Sequence, residues 1–402
     1  MSPAMNRSEA AVYVHFPWCL HRCNYCDFTT TANHNPPTQR YTEAIVDELR
    51  LRAEHWRPKV VSSVFFGGGT PSLWGPRGIS AVLKAIDNWA PIAQNAEISM
   101  EANPSSAVGL RDFALAGVNR ISLGVQATDD RRLKALDRIH DAETAHKALR
   151  QISDLLACGA LQSANADLMF GSPDQGVAEL KQDVETLMSY GLPHLSAYAL
   201  TVEQGTPLAK RVERGLTDAP NETVQATMLE MLPELVRPFG LKRYEVSNFA
   251  RPEHACKHNL AYWRGKYYLA LGVGAHGFVP ASEQIGRRYG NHNHSTLWME
   301  AIESGRLLEA FEEHPSTIEH RDELLLTSLR LAEGLQLDPL RQRLGTSIAS
   351  SIRDTASRLA ANGAPYGGDG ASVWIAQSHW GHLDRHVFDL VHELDRNFRS
   401  LH

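Results

Sequence analysis

The chain has 402 residues, of which 43% are hydrophobic, so it can bury a large core and is expected to form one large domain with a smaller one. Its net charge of −6 gives no overall attraction to phosphate backbones, so we do not expect nucleic acid as a partner. The N-terminus lacks the apolar stretch of a signal peptide, and no apolar run reaches the roughly 18–20 residues of a membrane span, so we expect a cytoplasmic protein.

The first two-thirds of the sequence alternates short apolar runs, typical of buried strands, with helical periodicities. The strand-like runs cover residues 11–16, 60–66, 96–101, 119–124, 163–170 and 194–201. Repeated strand–helix units predict a parallel sheet with right-handed crossovers, either a barrel or an open doubly wound sheet. In both architectures ligands bind at the carboxyl ends of the strands.

Unusual residues follow the predicted strands and should therefore meet at one edge of the sheet. They are Cys19 after the first strand, Gly-Gly-Gly-Thr-Pro-Ser at 67–72, Asn-Pro at 103–104, Gly-Val-Gln at 124–126 and Gly-Ser-Pro at 171–173. Glycines after a strand allow a ligand to approach the main chain closely. The run at 67–70 lacks the Gly-Lys-Ser/Thr of a P-loop, so we expect it to share a ligand with the nearby cysteines.

Near residues 311–317 the pattern changes, which predicts a linker. Beyond it, helical patterns at 323–331, 348–359 and 387–394 surround a short strand-like run at 373–376. This arrangement predicts a small helical or winged-helix-like domain at the C-terminal end.

Three of the five cysteines, Cys19, Cys23 and Cys26, lie within eight positions, which is typical of metal binding in a reducing compartment. Three thiolates on one loop can hold three irons of a four-iron four-sulfur cluster. The fourth iron is then free to chelate the amino and carboxylate groups of S-adenosylmethionine (SAM). A zinc site that includes His15 or His21 is the alternative that the spacing leaves open.

Motifs along almost the whole chain resemble the radical SAM family of oxygen-independent coproporphyrinogen III oxidase and its relative, the haem chaperone HemW. They lie at 13–19, 67–72, 101–104, 120–126, 136–140, 195–207, 244–250, 258–265, 271–276 and 324–335. The resemblance implies an α/β fold, a partial (β/α)6 radical SAM barrel with a small C-terminal domain. It assigns 1–240 to the core barrel, 241–312 to a barrel extension and 318–402 to a HemN-like C-terminal domain.

The resemblance also implies the roles of individual residues. Cys19, Cys23 and Cys26 would ligate the cluster. The residues similar to the family's SAM-contacting positions are Tyr13, Gly69, Thr70, Glu101, Gln126, Arg138 and Asp167. Their chemistry suits these roles, because a guanidinium can pair with the SAM carboxylate and carboxylates can accept hydrogen bonds from the ammonium or the ribose.

Phe28 and the motif that begins at His258 favour the HemW branch. The oxidase branch has a fourth cysteine two residues after the third, where this chain has Phe28. The segment that contains His258, Tyr262 and Trp263 resembles the haem-binding motif of the HemW branch. An imidazole can ligate haem iron and aromatic rings can pack on a porphyrin, although such a histidine equally suits a hydrogen-bonded packing role.

The sequence also suggests roles for five further residues, four of them in haem binding and one in the core. Lys257 and Arg264 could meet haem propionates, and Cys256 and His276 are conceivable iron ligands. Cys158, in an apolar helical pattern, is expected to be a core packing residue.

The function that this resemblance implies is a haem chaperone that binds a four-iron four-sulfur cluster, SAM and haem. Its partners would be haem-acceptor proteins, membrane respiratory proteins among the candidates, and the resemblance admits a cluster-dependent homodimer and a location at the membrane periphery. The alternatives are a coproporphyrinogen III oxidase, another radical SAM enzyme acting on a tetrapyrrole, and a zinc-binding interaction protein.

Overall fold

The computed structural model describes residues 7–281 and 285–399, and seventeen strands lie in that part of the chain. The strands are β1 (Glu9–Phe16), β2 (Trp18–Cys19), β3 (Thr31–Ala32), β4 (Val60–Gly68), β5 (Ile92–Ala102), β6 (Arg120–Gln126), β7 (Ser163–Phe170), β8 (His194–Ala199), β9 (Lys242–Glu245), β10 (Asn248–Ala250), β11 (Tyr268–Leu271), β12 (His276–Val279), β13 (Arg287–Asn291), β14 (Glu309–Glu313), β15 (Leu335–Gln336), β16 (Tyr366–Gly368) and β17 (Ser372–Ile375).

Fourteen α-helices lie in the same ranges. The helices are α1 (Thr38–Ala53), α2 (Pro76–Trp89), α3 (Leu110–Leu115), α4 (Asp130–Ala135), α5 (Ala142–Ala157), α6 (Val177–Met188), α7 (Pro207–Glu213), α8 (Glu222–Val236), α9 (Lys257–Trp263), α10 (Ser295–Glu303), α11 (Thr317–Ser328), α12 (Leu337–Leu344), α13 (Thr346–Ala361) and α14 (Leu383–Arg399).

The predicted partial (β/α)6 barrel is confirmed. Strands β1, β4, β5, β6, β7 and β8 lie side by side and pair in parallel, and helices occupy their crossovers. The sheet continues on both sides: β11 pairs with β1 in parallel and is followed by β12, β13 and β14, whereas β10 and β9 follow β8. All six predicted strands are present, and the structure extends several of them by a few residues.

Alternation along the barrel strands separates an apolar outer face from a polar inner face. On β6, for example, Ile121, Leu123 and Val125 belong to the main hydrophobic core, whereas the alternate residues Arg120 and Ser122 line the barrel interior. Successive side chains of a strand point to opposite faces, so one strand serves both environments. The helices cover the apolar face and leave the interior to polar groups.

The C-terminal region has its own hydrophobic cluster, formed by α11–α14 and a small three-stranded sheet. The strands pair in the order β15-β17-β16, and the cluster contains side chains from Leu324 to Leu394. Helical elements around a short strand were predicted here, and the additional strands β15 and β16 complete a small antiparallel sheet.

The linker predicted at 311–317 is wrong in its first part, because residues 309–313 form β14. This strand pairs with β13 at the edge of the large sheet. Its glutamates face arginines of β13, with Arg287 Nε 3.0 Å from Glu312 Oε1 and a second ion pair from Arg287 to Glu309. A strand of this kind is stabilised by opposite charges on the neighbouring strand. Its sequence therefore lacks the alternation of apolar and polar residues from which a strand is predicted.

The core role predicted for Cys158 is also wrong. Cys158 is the C-cap of α5 and is exposed, because the buried face of that helix ends at Leu155.

None of the helices in the two described ranges is long and apolar enough to cross a membrane.

A buried ionic network joins α1 to the strands that extend the barrel. Arg52 donates to Glu48 at 2.9 Å, to Glu309 at 2.8 Å and to Asn291 at 2.7 Å. Glu48 also accepts the backbone N–H of Gly272 at 2.7 Å. Burial raises the pKa of Glu48, although Arg52 opposes that rise. The network therefore holds β11, β13 and β14 against the first helix.

Replacing Arg52 with Met should lower the free energy of unfolding by about 3–5 kcal/mol, because it leaves a buried carboxylate without its cation. Arg50→Met is the matched control: Arg50 lies on the same helix, and its pair with Asp47 is on the surface. Chemical denaturation of both variants measures the difference. Equal stabilities of the two variants would contradict this role of the network.

Candidate functional site

A cavity of about 630 Å³ opens at the carboxyl ends of the six parallel strands. We call it the cysteine cavity, because Cys19, Cys23 and Cys26 all line it. Side chains from each of the six barrel strands contribute to its wall: Tyr13, Phe65, Glu101, Gln126, Asp167 and Tyr198. Four of the five loop segments predicted for this edge of the sheet line the cavity, whereas the segment at 171–173 does not.

Short strand pairing fixes the loop that carries the three cysteines. Cys19 belongs to β2, which pairs with β3, and the N–H of Cys26 donates to the carbonyl of Cys23 at 3.2 Å. Arg138 Nη1 lies 3.3 Å from the sulfur of Cys23. The guanidinium is thus in a position to donate a hydrogen bond to this sulfur. Burial raises the pKa of the Cys19 thiol.

The chemistry of this donor set suits an iron–sulfur cluster. Across residues 7–281 and 285–399, no three His, Cys, Asp or Glu side chains are already arranged to hold a single metal ion. The three thiols nevertheless line one cavity, next to a cation and a glycine loop. Soft sulfur donors of this kind are the usual ligands of iron–sulfur clusters.

Gly68 and Gly69 bring the main chain against the first strand and the cysteine loop. The N–H of Gly69 donates to Phe16 at 2.7 Å, and a Cβ atom on Gly69 would lie 2.6 Å from the carbonyl oxygen of Trp18. Gly68 has a φ of 111°, and a Cβ atom there would collide with the ring of His15. Only glycine fits at these two positions.

Glu101 and Asp167 form a pair of carboxyl groups at the wall of the cysteine cavity. Glu101 accepts the N–H of Gly68 at 3.0 Å, and Asp167 accepts hydrogen bonds from Ser122 at 3.0 Å and from Asn165 at 2.8 Å. Burial raises the pKa of Asp167 to about 6. Burial, together with the charge of Asp167, raises the pKa of Glu101 to about 8. A cationic ligand, or one with hydroxyl donors, would stabilise both ionised groups.

Arg138 connects the cysteine loop to the ends of two strands. Its Nη2 donates to Asn103 at 2.5 Å and to the carbonyl of Gly124 at 3.0 Å. Asn103 in turn donates to Thr70 at 2.9 Å. The buried Thr70 therefore helps to hold the side chain of Asn103 in place. Gln126 lines the cavity and has a φ of 70°. The structure thus places six of the seven residues predicted to contact SAM in the wall of the cysteine cavity, whereas Thr70 lies behind Asn103.

The sequence interpretation missed several polar residues deeper in the barrel. Arg120, Ser122, Asn165 and Ser196 line the cysteine cavity, and Asn165 donates to Ser196 at 3.1 Å. Arg120 donates to Ser163 at 3.1 Å. The sequence contains a signal for these residues: polar residues occupy every second position of the apolar runs. This alternation indicates that one face of the sheet is polar.

His258 is placed in the wall of the barrel, with both ring nitrogens engaged. Its Nδ1 is hydrogen-bonded to Ser63 at 3.0 Å and its Nε2 to Tyr262 at 2.8 Å. The ring stacks on Phe65 at 5.1 Å, and only 1% of the residue is exposed. Burial lowers the pKa of His258 to about 3. The imidazole is therefore neutral and hydrogen-bonded in this structure.

Tyr262 and Trp263 lead to a second cavity of about 680 Å³. It lies between β12 and α11, and we call it the β12–α11 cleft. Residues that line both this cleft and the cysteine cavity are Tyr13, Asp27, Phe28, Gly68, Glu101 and Tyr262. Phe28 is 61% exposed, so a large apolar ring stands where the two cavities adjoin.

Other predicted haem contacts have different partners. Lys257 donates to the carbonyl of Asn95 at 2.8 Å, and Arg264 pairs with Glu333 at 2.7 Å. The thiol of Cys256 is buried 3.2 Å from Glu97.

Among the described residues, neither histidine of the zinc alternative is arranged with the cysteines to hold a metal ion. His15 is hydrogen-bonded to Tyr13 at 3.0 Å and to the carbonyl of Thr29 at 2.9 Å. His21 lies 2.9 Å from Asp137.

The geometry agrees with comparisons to known proteins. A model of the radical SAM superfamily matches residues 13–187. The heme chaperone HemW of Mycobacterium tuberculosis is 36% identical over 357 residues, which cover 85% of this chain and 88% of the relative. HemW of Escherichia coli is 34% identical over 84% of this chain and 90% of its own length.

Two further matches are a vertebrate protein and a solved structure. The mitochondrial radical S-adenosyl methionine domain-containing protein 1 of Danio rerio is 36% identical over 81% of this chain and 74% of that relative. The structure of coproporphyrinogen III oxidase (HemN) from Escherichia coli superimposes with a TM-score of 0.77 over 98% of this chain and 91% of the other. At 19% identity this second match establishes the fold alone.

Gly69→Ala should weaken SAM binding about 10- to 100-fold, because the added Cβ atom moves the loop and small displacements at a positioned site are costly. Gly381→Ala is the control, since a Cβ atom at Gly381 meets no atom within 4 Å. Calorimetric titration of cluster-loaded protein with SAM measures both affinities. Wild-type affinity in Gly69→Ala would show that the close contact with Trp18 is unimportant.

Glu101→Gln should flatten the pH dependence of stability. The unfolded carboxyl loses its proton near its ordinary pKa of 4.5, whereas in the folded protein burial holds the pKa at about 8. Raising the pH between these values therefore favours the unfolded wild-type chain, and above the higher value the penalty stays constant.

Thermal unfolding of ligand-free protein across this pH window tests the prediction. The melting temperature of the wild type should fall more steeply with pH than that of Glu101→Gln, while a variant of the exposed Glu300, Glu300→Gln, should follow the wild type. Parallel pH profiles for wild type and Glu101→Gln would refute the buried-carboxyl explanation.

Proposed function

This chain belongs to the HemW family of the radical SAM superfamily, and from that membership we propose that it is a haem chaperone. It binds a four-iron four-sulfur cluster, SAM and haem, and it passes haem to acceptor proteins. The observation that carries the proposal is the β12–α11 cleft, a second cavity of about 680 Å³ that adjoins the cysteine cavity. A protein that handles haem beside a cluster needs two such neighbouring spaces.

In this proposal Cys19, Cys23 and Cys26 hold the cluster, and the cysteine cavity takes SAM. When bound, the cluster supplies one electron and a free coordination position for the amino and carboxylate groups of SAM. Arg138 orients the carboxylate, because its guanidinium already lies beside the sulfur of Cys23. The main chain at Gly69 lines the cysteine cavity and meets the methionyl end of SAM.

Five side chains complete the SAM site in this proposal. Glu101 and Asp167 accept hydrogen bonds from the ammonium or the ribose, because neither carboxyl group forms an ion pair among the described residues and burial raises the pKa of both. Tyr13 and Gln126 line the same cavity, where they pack against the ligand. The role of Thr70 is to position Asn103, to which it is hydrogen-bonded at 2.9 Å.

The β12–α11 cleft is suited to a flat aromatic ligand. Tyr262, Trp263, Tyr268 and Phe278 line it and offer rings that can pack against a porphyrin. Phe28 stands at its border with the cysteine cavity. An aromatic ring at this position packs against haem without competing for its iron, whereas a thiol would be an additional iron ligand.

The acceptors in this proposal are haem-requiring proteins, membrane respiratory proteins among them. The protein works in the cytoplasm and at the membrane periphery, and a homodimer that depends on the cluster is its proposed assembly. Five cysteines without a disulfide suit a reducing compartment.

A radical SAM enzyme that acts on a tetrapyrrole is the second candidate function. It is supported by the polar barrel interior, in which the Nδ1 of His194 and the Oγ of Ser99 are buried without hydrogen-bond partners among the described residues. Such atoms suit a substrate inside the barrel. Anaerobic incubation with SAM, a reductant and coproporphyrinogen III separates the two functions, and vinyl product would favour the enzyme.

Haem-loaded protein should transfer haem to an apo-acceptor, with apomyoglobin as the probe. Absorption spectra should show loss of haem from this protein and formation of myoglobin. Cys23→Ser should lose the iron and sulfide of the reconstituted cluster, whereas Cys158→Ser should retain both, because Cys158 is exposed at the end of α5, far along the chain from the cysteine loop.

Two results would contradict the proposed function. The first is wild-type protein that binds no haem after anaerobic reconstitution. The second is stable haem binding with no transfer to the acceptor, which would make the protein a haem protein and not a chaperone.

A further inference from the structure

The β12–α11 cleft contains a histidine whose imidazole is free. His276 is the first residue of β12, it is exposed and it lines the cleft. Its ring packs edge-on against Phe311, with 5.1 Å between the ring centroids. Neither ring nitrogen is hydrogen-bonded to any residue of the described ranges. A neutral imidazole with a free nitrogen is a ready axial ligand for haem iron.

The other histidines near this cleft are not free in the same way. His258 and His15 use both ring nitrogens in hydrogen bonds within the barrel wall. His320 is 2% exposed, and its Nδ1 lies 3.3 Å from Glu323. Iron ligation by His258 would require the loss of its bonds to Ser63 and Tyr262 and the exposure of a buried ring. His276 requires neither change.

An unpartnered donor in the cleft indicates a ligand that carries an acceptor group. Trp263 lines the cleft, and its Nε1 is buried without a hydrogen-bond partner in the described part of the protein. Buried N–H groups are rarely left without an acceptor, so each such group needs an explanation. The carboxylates of haem propionates are strong acceptors of this kind.

Two cations stand at the same cleft. Lys266 pairs with Glu9 at 3.1 Å, and Arg288 pairs with Glu323 and lies over the ring of Phe278. Both pairs are partly exposed, so a ligand carboxylate can join them. A dianionic, flat, aromatic ligand therefore finds two cations, the N–H donor of Trp263 and stacking rings in one space. Its volume of about 680 Å³ falls within the roughly 300–1,000 Å³ of ligand pockets.

We propose that haem occupies the β12–α11 cleft with the imidazole of His276 as its axial ligand. This inference rests on the proposed haem-chaperone function and specifies the site and the ligand. His258 is then a positioning residue, because it orients Tyr262, one of the side chains that line both cavities. Haem placed there lies against the residues shared with the cysteine cavity, within reach of a cluster and SAM.

The test compares histidine variants by haemin titration of the full chain under anaerobic conditions. His276→Ala should shift the Soret band and weaken haem affinity about 10- to 100-fold, as expected for the loss of a metal-site interaction. His314→Ala is the matched control, since His314 is also exposed and pairs with Glu312 outside the cleft. Added imidazole should restore the histidine-ligated spectrum to His276→Gly.

The possible results separate this inference from the proposed function. If the wild type binds haem and His276→Ala keeps the same spectrum and affinity, the ligand assignment is wrong while the chaperone function stands. The assignment is equally wrong if His258→Gln loses the histidine-ligated spectrum and His276→Ala retains it. If the wild type binds no haem, both proposals fail. Loss of the spectrum in His276→Gly and its rescue by imidazole support the assignment.

Discussion

The structure depends on the alternation of side chains along six parallel strands. Each strand sends its apolar residues outwards to the helices and its polar residues into the barrel, so the same segments build the core and the site. On β7, Ala166 and Leu168 pack outside while Asn165 and Asp167 face the cavity. A shift of one residue in register would exchange the two faces, so the core fixes the position of every group in the site.

The side chains that face the cavity are held in place by hydrogen bonds to one another. Asp167 is held by Ser122 and Asn165, and its charge contributes to the raised pKa of Glu101. Arg138 connects the cysteine loop to Asn103. Arginines line the same cavity, yet Glu101 and Asp167 form no ion pair among the described residues, so a cationic ligand such as SAM would complete this site.

The two adjoining cavities explain how one family fold can serve different functions. The fold matches that of a coproporphyrinogen III oxidase over 98% of this chain, and two residues after the last cysteine of the triad this chain has Phe28. An aromatic ring there borders both cavities and contributes packing surface without thiol chemistry. Function in this fold therefore depends on side chains at the strand ends and not on the barrel itself.

The sequence by itself determined the local features: the three clustered cysteines, the alternation of strands and helices, and the glycines that must approach another chain segment. These follow from spacing and period, which are properties of neighbouring residues. It missed β14, because this glutamate-rich strand is stabilised by ion pairs with Arg287 of another strand. Only the tertiary structure decided which histidine is free. Ser63, 195 positions away in the sequence, engages the ring of His258, whereas His276 faces a cleft formed with α11. Contacts between residues so distant along the chain leave no periodic signal in it.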